Sequence, residues 1–325
     1  MTPTPLTPTT LATVELPGLD QPLSQLVLGT MTFGDTVDIA TARAMVDAAL
    51  DAGITFFDTS DVYGDGHSEE LLGKAMKGRR ERFIVATKIG WRGFDGSERR
   101  TAYGEVQKLI AGVESNLQRL GTSYVDVIQS HISFRDPTME VFIEGFQRLQ
   151  KDGKVRAYGL STSDFEYIKA FNHDGKCATL QIDYSILNRT PEAEILDYCK
   201  KNGIGVIVRG ALAMGLLTGK FDERTVFHDS DFRRKWQSDP EQNAIYRQDL
   251  AKVKELAPLA REGRTLAQAA LQFALAHDAV TTVIPGAKSA AQVQANLPGL
   301  PFAPADRALI DRVTPPGGGR KIWPA

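Results

Sequence analysis

Eight short apolar runs, alternating nearly to the end with stretches of helical spacing, set the limits on what this chain can become. The runs lie near Gln25–Gly29, Thr55–Asp58, Phe83–Lys88, Val125–His131, Arg156–Ser161, Thr179–Asp183, Gly205–Arg209 and Thr281–Pro285. Each is rich in Val, Ile, Phe or Leu and sits beside Gly or a polar break, the pattern of a buried strand. Between them, Ala40–Ala52 puts apolar residues at Ala42, Met45, Val46, Ala49 and Leu50, and Glu105–Leu120 does the same with Gly121 as its stop. Met139–Gln150, Asp164–Phe171 and Pro191–Lys201 follow the same rule. Apolar strands that alternate with helices make a parallel sheet covered on both faces. Eight such repeats predict an α/β fold, a single (β/α)8 TIM barrel.

The alternation breaks once, between Gly210 and Val280. That stretch reads as an irregular polar loop, Phe221–Asn243, and two helical segments, Ala244–Glu262 and Leu266–His277. A long excursion after a barrel strand belongs over the C-terminal rim and usually has a function. Ala12–Pro22 reads as a β-hairpin turning at Gly18-Leu19-Asp20 and closing the opposite end. The whole chain, 1–325, is expected to be one domain, with residues 1–11 a flexible Pro- and Thr-rich leader.

Composition removes several classes of function. A formal charge of −2 supplies no long-range field for nucleic acid or an anionic membrane. The basic run Lys77–Arg82 is short, contains Glu81, and reads as a solvated helix end. Cys177 and Cys199 are too few for a disulfide framework and suit a reducing compartment. No apolar run is long enough to span a bilayer, and the first residues lack the basic and apolar regions of a signal peptide. The expected location is the cytoplasm. The oligomeric state is open.

Three predicted strands end on a titratable group: Asp58, Lys88 and His131. Such a group is expensive at the end of a buried strand unless it is partnered. Parallel strands bring their C-terminal ends to one rim, where barrel active sites are built. The loop after Asp58 delivers Tyr63. Lys88 needs a carboxylate to keep its charge in an apolar setting, and Asp58 can supply it. An ammonium beside a phenol stabilises the phenolate, which makes Tyr63 a stronger acid suited to general acid catalysis. His131 can donate a hydrogen bond to an oxygen held between it and Tyr63. Such a site polarises and protonates a carbonyl oxygen but has no nucleophile of its own. A hydride from a bound cofactor is the candidate.

At this point the chain resembles a known family. The segment from Gly53 to Glu69, which contains Asp58-Thr59-Ser60-Asp61-Val62-Tyr63-Gly64, is similar to the signature of the aldo-keto reductases. So are Ala86-Thr87-Lys88, Tyr124–His131, Gly153–Ser161, Gln181–Ser185, Gly215–Lys220 and Ile284–Lys288. The likeness runs in order from about Leu26 to Asn296. It implies NADPH-dependent reduction of a small aldehyde or ketone without a Rossmann domain. Tyr63 would be the proton donor, Lys88 and Asp58 its tuners, and His131 the residue that orients the carbonyl. The sequence agrees about the missing Rossmann unit: Gly64-Asp65-Gly66-His67-Ser68-Glu69 has only two of the three glycines and follows the second strand.

The resemblance also implies a cofactor site. Ser161 and Gln181 match the pair that binds the nicotinamide carboxamide, with Thr162 where many relatives have Asn. Arg209 stands where many relatives stack an aromatic ring on the nicotinamide, and a guanidinium can stack as well. Gly29, Thr30, Met31 and Asp58 are expected to contact the cofactor too, as are Gly210, Ala211 and Leu212 after Arg209. Gly215, Leu217 and Gly219 match the loop that wraps the pyrophosphate, and Lys220 adds charge. Pro285 and Gly286 lead to Lys288, at the place of a cation near the adenosine 2′-phosphate, with Gln292 and Asn296 toward the adenine. NADP(H) is therefore expected in preference to NAD(H).

Met31, Trp91, Phe94 and Phe134 follow strand ends and are candidates to line the substrate pocket. His67, His173, His228 and His277 have no metal-ligand spacing, so no metal is expected. That counts against a metal-dependent barrel hydrolase or lyase. A rival from another class is a cofactor-sensing binding protein on the same scaffold, such as an ion-channel auxiliary subunit.

Overall fold

The structure is a computed structural model that describes residues 11–131, 133, 138–229 and 231–321. In chain order the elements begin with β1 (Thr13–Val14), β2 (Leu23–Ser24), β3 (Val27–Gly29), α1 (Ile39–Asp51), β4 (Phe56–Asp58) and α2 (His67–Met76). They continue with β5 (Ile84–Ile89), α3 (Arg99–Ala102), α4 (Val106–Leu120), β6 (Val125–His131), α5 (Thr138–Lys151) and β7 (Val155–Ser161). Next come α6 (Phe165–Phe171), β8 (Thr179–Asp183), α7 (Ile195–Lys201), β9 (Gly205–Arg209), α8 (Lys235–Ser238) and α9 (Pro240–Glu255). The last are α10 (Leu266–Leu275), β10 (Val280–Val283), α11 (Ala290–Ala295) and α12 (Pro304–Val313). The eight strands β3 to β10 lie in sequence order in one parallel sheet, the order of a (β/α)8 barrel. All eight expected strands are present.

By compactness the chain divides into two units. The first comprises residues 1–129, 140–158 and 286–298. In it β3 pairs with β4 from Val27↔Phe56 to Gly29↔Asp58, and β4 pairs with β5 from Phe56↔Ile84 to Asp58↔Ala86. β1 and β2 form the antiparallel hairpin, one residue or two beyond its expected bounds. The Ser24 hydroxyl, on β2, accepts from the Thr55 amide (3.1 Å), so the hairpin caps the entry end of β4, opposite Asp58. Helix α1 starts at the Asp38 cap, whose carboxylate accepts from the Thr41 amide. It buries the stripe Ala42, Met45, Val46, Ala49 and Leu50 that its spacing predicts.

The same entry end carries a buried charge cluster. Asp126, on β6 with its side chain fully buried, accepts from Arg80 (2.8 Å), Arg156 (2.8 Å) and the Val85 amide (2.8 Å). Both guanidinium groups lie over the Tyr124 ring, 4.2 and 4.4 Å from its centroid. The basic run Lys77–Arg82 is thus only partly a solvated helix end. Glu81 and Arg82 are exposed, but Arg80 turns inward to satisfy Asp126. Charge patterning misses this because the partner lies 46 residues away.

The second unit comprises residues 130–139, 159–285 and 299–325. β8 pairs with β9 from Thr179↔Gly205 to Asp183↔Arg209, and β9 with β10 through a register shift between Val280 and Thr282. The stretch expected as an irregular polar loop, Phe221–Asn243, is partly helical. It contains a 3-10 turn, Phe232–Arg234, then α8 and the start of α9. Asp239 caps α9 by accepting from the Gln242 amide, with Pro240 at the first helical position. Aromatic rings also gather there. The Arg233 guanidinium lies over Phe221, Phe227 and Phe232, and Trp236 stacks on Tyr246. Pro191–Lys201 is split as well: a 3-10 turn, Thr190–Ala193, precedes α7, because Glu194 has extended φ (−148°).

The Asp126 cluster generates a stability prediction. Removing the carboxylate in Asp126→Ala takes the acceptor from the buried Val85 amide and the counter-charge from two guanidinium groups and should cost about 3 kcal/mol. Urea denaturation measures it, and a loss below ~1 kcal/mol would show that the cluster does not tie these strand entries together.

Candidate active site

Lys88 has a fully buried side chain on β5. Its ammonium has three donor hydrogens and three acceptors: Asp58 Oδ2 at 2.7 Å, the Thr59 carbonyl at 2.9 Å and Tyr63 Oη at 3.3 Å. Burial pulls the Lys88 pKa down, but the charge of Asp58 and the hydrogen bonds to Asp58 and Tyr63 outweigh it, so Lys88 is held above the ordinary lysine range. It is therefore an ammonium across neutral pH. Since Tyr63 Oη accepts from Lys88, the phenolic proton must be directed at another acceptor. The ammonium also lies 4.9 Å from the centroid of the Tyr63 ring.

The loop that carries Tyr63 is tightly determined. The Thr59 amide donates to Ala86 O (2.9 Å), and the Asp61 amide to Lys88 O (3.2 Å), so the chain leaving β4 is laced to β5. Tyr63 opens a 3-10 turn in which Gly64, Asp65 and Gly66 all have positive φ (56°, 52° and 93°). Asp65 is the one non-glycine there, and Asp is among the residues that tolerate the left-handed region best. A Cβ on Gly66 would meet Arg119 Cδ at 2.7 Å, so only glycine lets that guanidinium pass under the turn.

Behind Lys88 lies a polar network that strand-end reasoning does not find. Glu69, fully buried in the first turn of α2, accepts from Thr87 Oγ1 (2.5 Å) and Arg119 Nε (2.7 Å). Asn116 Nδ2 donates to the Lys88 carbonyl (3.2 Å), and its Oδ1 accepts from Arg119 Nη2 (3.2 Å). Ser68 Oγ donates to Thr30 O (2.8 Å) and meets the hydroxyls of Thr30 (2.7 Å) and Thr59 (2.9 Å). Burial pushes the Asp61 carboxyl up to about 6 and the Glu69 carboxyl up to about 7, against the lowering pull of Arg119. The sequence did carry a signal: Glu69, Leu72 and Met76 share one buried helical face, so the acid interrupts an apolar stripe.

In the first unit the other expected residues fall as follows. Gly29 makes a parallel bridge to Gly286, and Thr32 Oγ1 donates to Ala287 O (2.9 Å). Thr30 Oγ1 donates to the Asp58 carbonyl (3.0 Å). The Lys288 amide donates to Gln292 Oε1 (2.7 Å) at the start of α11, and Asn296 Nδ2, at the C-cap of that helix, donates to Gly286 O (3.3 Å). Lys288 and Gln292 are exposed. Met31 is 51% exposed and Trp91 is half-buried. Phe94 packs toward Tyr103, with ring centroids 6.0 Å apart, and against the Gly112 position of α4. Tyr103 Oη donates to the Arg92 carbonyl (2.8 Å).

In the second unit, His131, Ser161, Thr162 and Gln181 are buried at or near the ends of β6, β7 and β8, and Arg209 ends β9. Gly210 (φ 70°) presses on Asp183 Oδ1, 2.1 Å from where a Cβ would stand. Ala211 and Leu217 are buried, Leu212 and Gly215 half-buried, and Gly219 and Lys220 exposed. The turn from Ala213 to Gly219 has left-handed backbone at Ala213, Met214, Gly215 and Gly219. Arg233 Nη1 donates to Met214 O (3.2 Å) and steadies that turn. Pro285 is buried just past β10. Phe134 lies outside the described residues, as do residues 1–10 of the expected leader. Among the described residues no group of three or more His, Cys, Asp and Glu side chains could hold a metal ion, and no helix is long and apolar enough to cross a membrane.

With this geometry in place, the comparisons with known proteins converge. The model of the Aldo/keto reductase family matches residues 25–314. The chain is 33% identical over 285 residues to the aldo-keto reductase YhdN of Bacillus subtilis, covering 84% of this chain and 83% of that one. It is 30% identical to the glycerol dehydrogenase AKR11B4 of Gluconobacter oxydans, with a TM-score of 0.82 over 96% of this chain and 98% of that one. It is also 29% identical to a probable voltage-gated potassium channel subunit beta of Oryza sativa subsp. japonica, covering 87% and 89%. The chain belongs to the aldo/keto reductase family. It is an NAD(P)H-dependent oxidoreductase on a (β/α)8 fold.

The raised Glu69 carboxyl has a measurable consequence. In an unfolded chain a glutamate titrates near ~4.3, so the folded state binds this proton more tightly. The stability it contributes is complete below that value and is lost as pH rises through about 7. Relative to Glu69→Gln, the wild type should lose stability between about pH 4.5 and 8 in urea titrations. Parallel pH curves for the two proteins would contradict the assignment.

Proposed function

We propose that this protein reduces an aldehyde or ketone to an alcohol, taking hydride from NADPH and the proton from Tyr63. The reaction is reversible, and its direction follows the ratio of the cofactor's two forms. The observation that carries the reading is the saturated ammonium of Lys88, which fixes Tyr63 Oη as an acceptor and leaves its proton to travel outward. As hydride reaches the carbonyl carbon, negative charge grows on the oxygen. A donor beside a buried cation stabilises that charge where it develops. Asp58 keeps Lys88 charged rather than reacting itself. His131 donates a second hydrogen bond to the same oxygen and orients the carbonyl.

The nicotinamide would be held by Ser161, Thr162, Gln181 and Arg209, the positions the family likeness assigns to it, and Gly29, Thr30 and Met31 would also contribute to the cofactor site. The turn through Gly215, Leu217 and Gly219, with Gly210, Ala211, Leu212 and Lys220, wraps the pyrophosphate. Pro285 and Gly286 lead the chain to the adenosine end, where Lys288 meets the 2′-phosphate and Gln292 and Asn296 meet the adenine. The exposure of Lys288, its bond to Gln292 and the bond of Asn296 to Gly286 support that end of the site. Met31 and Trp91 line the substrate side. Free, buried Cys177 and Cys199 suit the reducing cytoplasm.

A second reading is a catalytically weak NADP(H)-binding auxiliary subunit, favoured by the likeness to the probable potassium channel subunit beta. A sensor needs the cofactor cradle but not a proton donor on a saturated lysine. Steady-state NADPH consumption with a panel of aldehydes, ketones and sugars, glyceraldehyde and dihydroxyacetone among them, separates the two.

Two variants test the reading in detail. Tyr63→Phe should lower kcat by ~10²–10⁴ and leave NADPH affinity unchanged in fluorescence titration. A phenylalanine variant with full turnover would remove Tyr63 from the mechanism. In Lys288→Ala the ratio of kcat/KM for NADPH over NADH should fall ~10-fold or more, as one charge-assisted bond to the phosphate is lost. An unchanged ratio would place the 2′-phosphate elsewhere.

A further inference from the structure

Two adjacent residues in the first turn of α2 reach all three strand ends that carry the acid site in the first unit. Ser68 holds the ends of β3 and β4: its hydroxyl bonds to Thr30 and Thr59, and Thr30 in turn donates to the carbonyl of Asp58. Glu69 holds the end of β5 through Thr87, the residue before Lys88. Successive side chains of a strand point to opposite faces. Fixing Thr87 on the helix side therefore fixes Lys88 on the other, toward Asp58 and Tyr63. Asn116 adds a second hold on the same residue by donating to the Lys88 carbonyl.

Arg119 joins this support to the Tyr63 turn. It donates to Glu69 (2.7 Å) and to Asn116 (3.2 Å), and its side chain occupies the space that a Cβ on Gly66 would need. One guanidinium thus underlies both the strand that presents Lys88 and the turn that presents Tyr63. We infer that Glu69, acting through Thr87 and Arg119, is a positioning residue that sets the distance between Lys88 Nζ and Tyr63 Oη. This rests on the reading of Tyr63 as proton donor. That distance, 3.3 Å, is already at the long edge of a hydrogen bond, so a drift of a few tenths of an ångström loses it. A buried carboxylate is a poor source of stability, and burial disfavours the charged form of this one. Its place is better explained by geometry than by stability.

The competing explanation is that the network only holds α2 and α4 to the sheet. Single-turnover oxidation of enzyme-bound NADPH by saturating aldehyde, scaled to the measured NADPH-binding stoichiometry, distinguishes the two. The comparison takes wild type, Glu69→Gln, Thr87→Val, Asp126→Asn and Tyr63→Phe at about pH 8, where Glu69 is ionised in the wild type. Glu69→Gln and Thr87→Val should slow the turnover ~10–10²-fold, the cost of a misplaced catalytic group. Their KM for aldehyde and Kd for NADPH should stay within about two-fold of wild type. Asp126→Asn, which weakens the cluster at the other end of these strands, should lose stability and keep the wild-type rate per bound NADPH. If Glu69→Gln does not fold, Thr87→Val, which changes shape little, carries the comparison. A wild-type rate in the folded variants, or an equal slowing in Asp126→Asn, would overturn the inference. Tyr63→Phe at the wild-type rate would bring down the proton-donor reading and this inference with it. A slow Tyr63→Phe beside a fast Glu69→Gln would bring down this inference alone.

Discussion

A lysine ammonium with no exposure to water has to find partners inside the protein, and the three around Lys88 organise the site. Asp58 supplies the counter-charge, the Thr59 carbonyl a neutral acceptor, and Tyr63 the last lone pair. The register of β4 on β5, with Asp58 opposite Ala86, brings the carboxylate within reach of a side chain two residues further on. Remove the charge and the arrangement has no reason to hold a phenol in that orientation. Bury the charge without Asp58 and desolvation would drive the proton off the amine. Lys88 and its three partners are thus one coupled unit rather than a set of separate residues.

The two ends of the strands in the first unit divide their work. At the entry end, Ser24 of the hairpin bonds to Thr55, and Asp126 gathers Arg80, Arg156 and the Val85 amide. These contacts satisfy buried groups and fix register, and none of them faces the acid site. At the exit end, the polar groups of α2 and α4 are arranged around Lys88 and the Tyr63 turn. Chemistry at the exit end and stability at the entry end is the general division in barrel enzymes. Here each end can be traced to named side chains.

The strands and the meeting of Asp58 with Lys88 were legible because each signal is local. Asp58, Lys88 and His131 each end an apolar run, and nothing but a site or an ion pair keeps such a group there. The spacing of Ala42, Met45, Val46, Ala49 and Leu50 likewise fixes the buried face of α1. What escaped depends on partners distant in the chain or on a balance of weak preferences. Glu69 followed by Glu70 looks like ordinary acidic dressing of a helix N-terminus. The spacing of Glu69 with Leu72 and Met76 is the one hint that the first is sealed in and the second is not, and packing bears it out. Arg80 looked solvated because Asp126 is far along the chain. Phe221–Asn243 looked irregular because its polar residues outnumber its rings. The aromatic cluster over Arg233 and the Asp239-Pro240 start of α9 impose order that no periodic stripe announces.

The decisive geometry belongs to the loaded enzyme. A crystal structure with NADP⁺ and an unreactive carbonyl analogue should place Tyr63 Oη at ~2.7 Å from the analogue's oxygen, with Lys88 still donating to the phenol. The nicotinamide C4 should then stand ~3–3.5 Å from the carbonyl carbon. An analogue whose oxygen is bound by other groups, with Tyr63 out of reach or its bond to Lys88 broken, would contradict this account of how the chain transfers a proton.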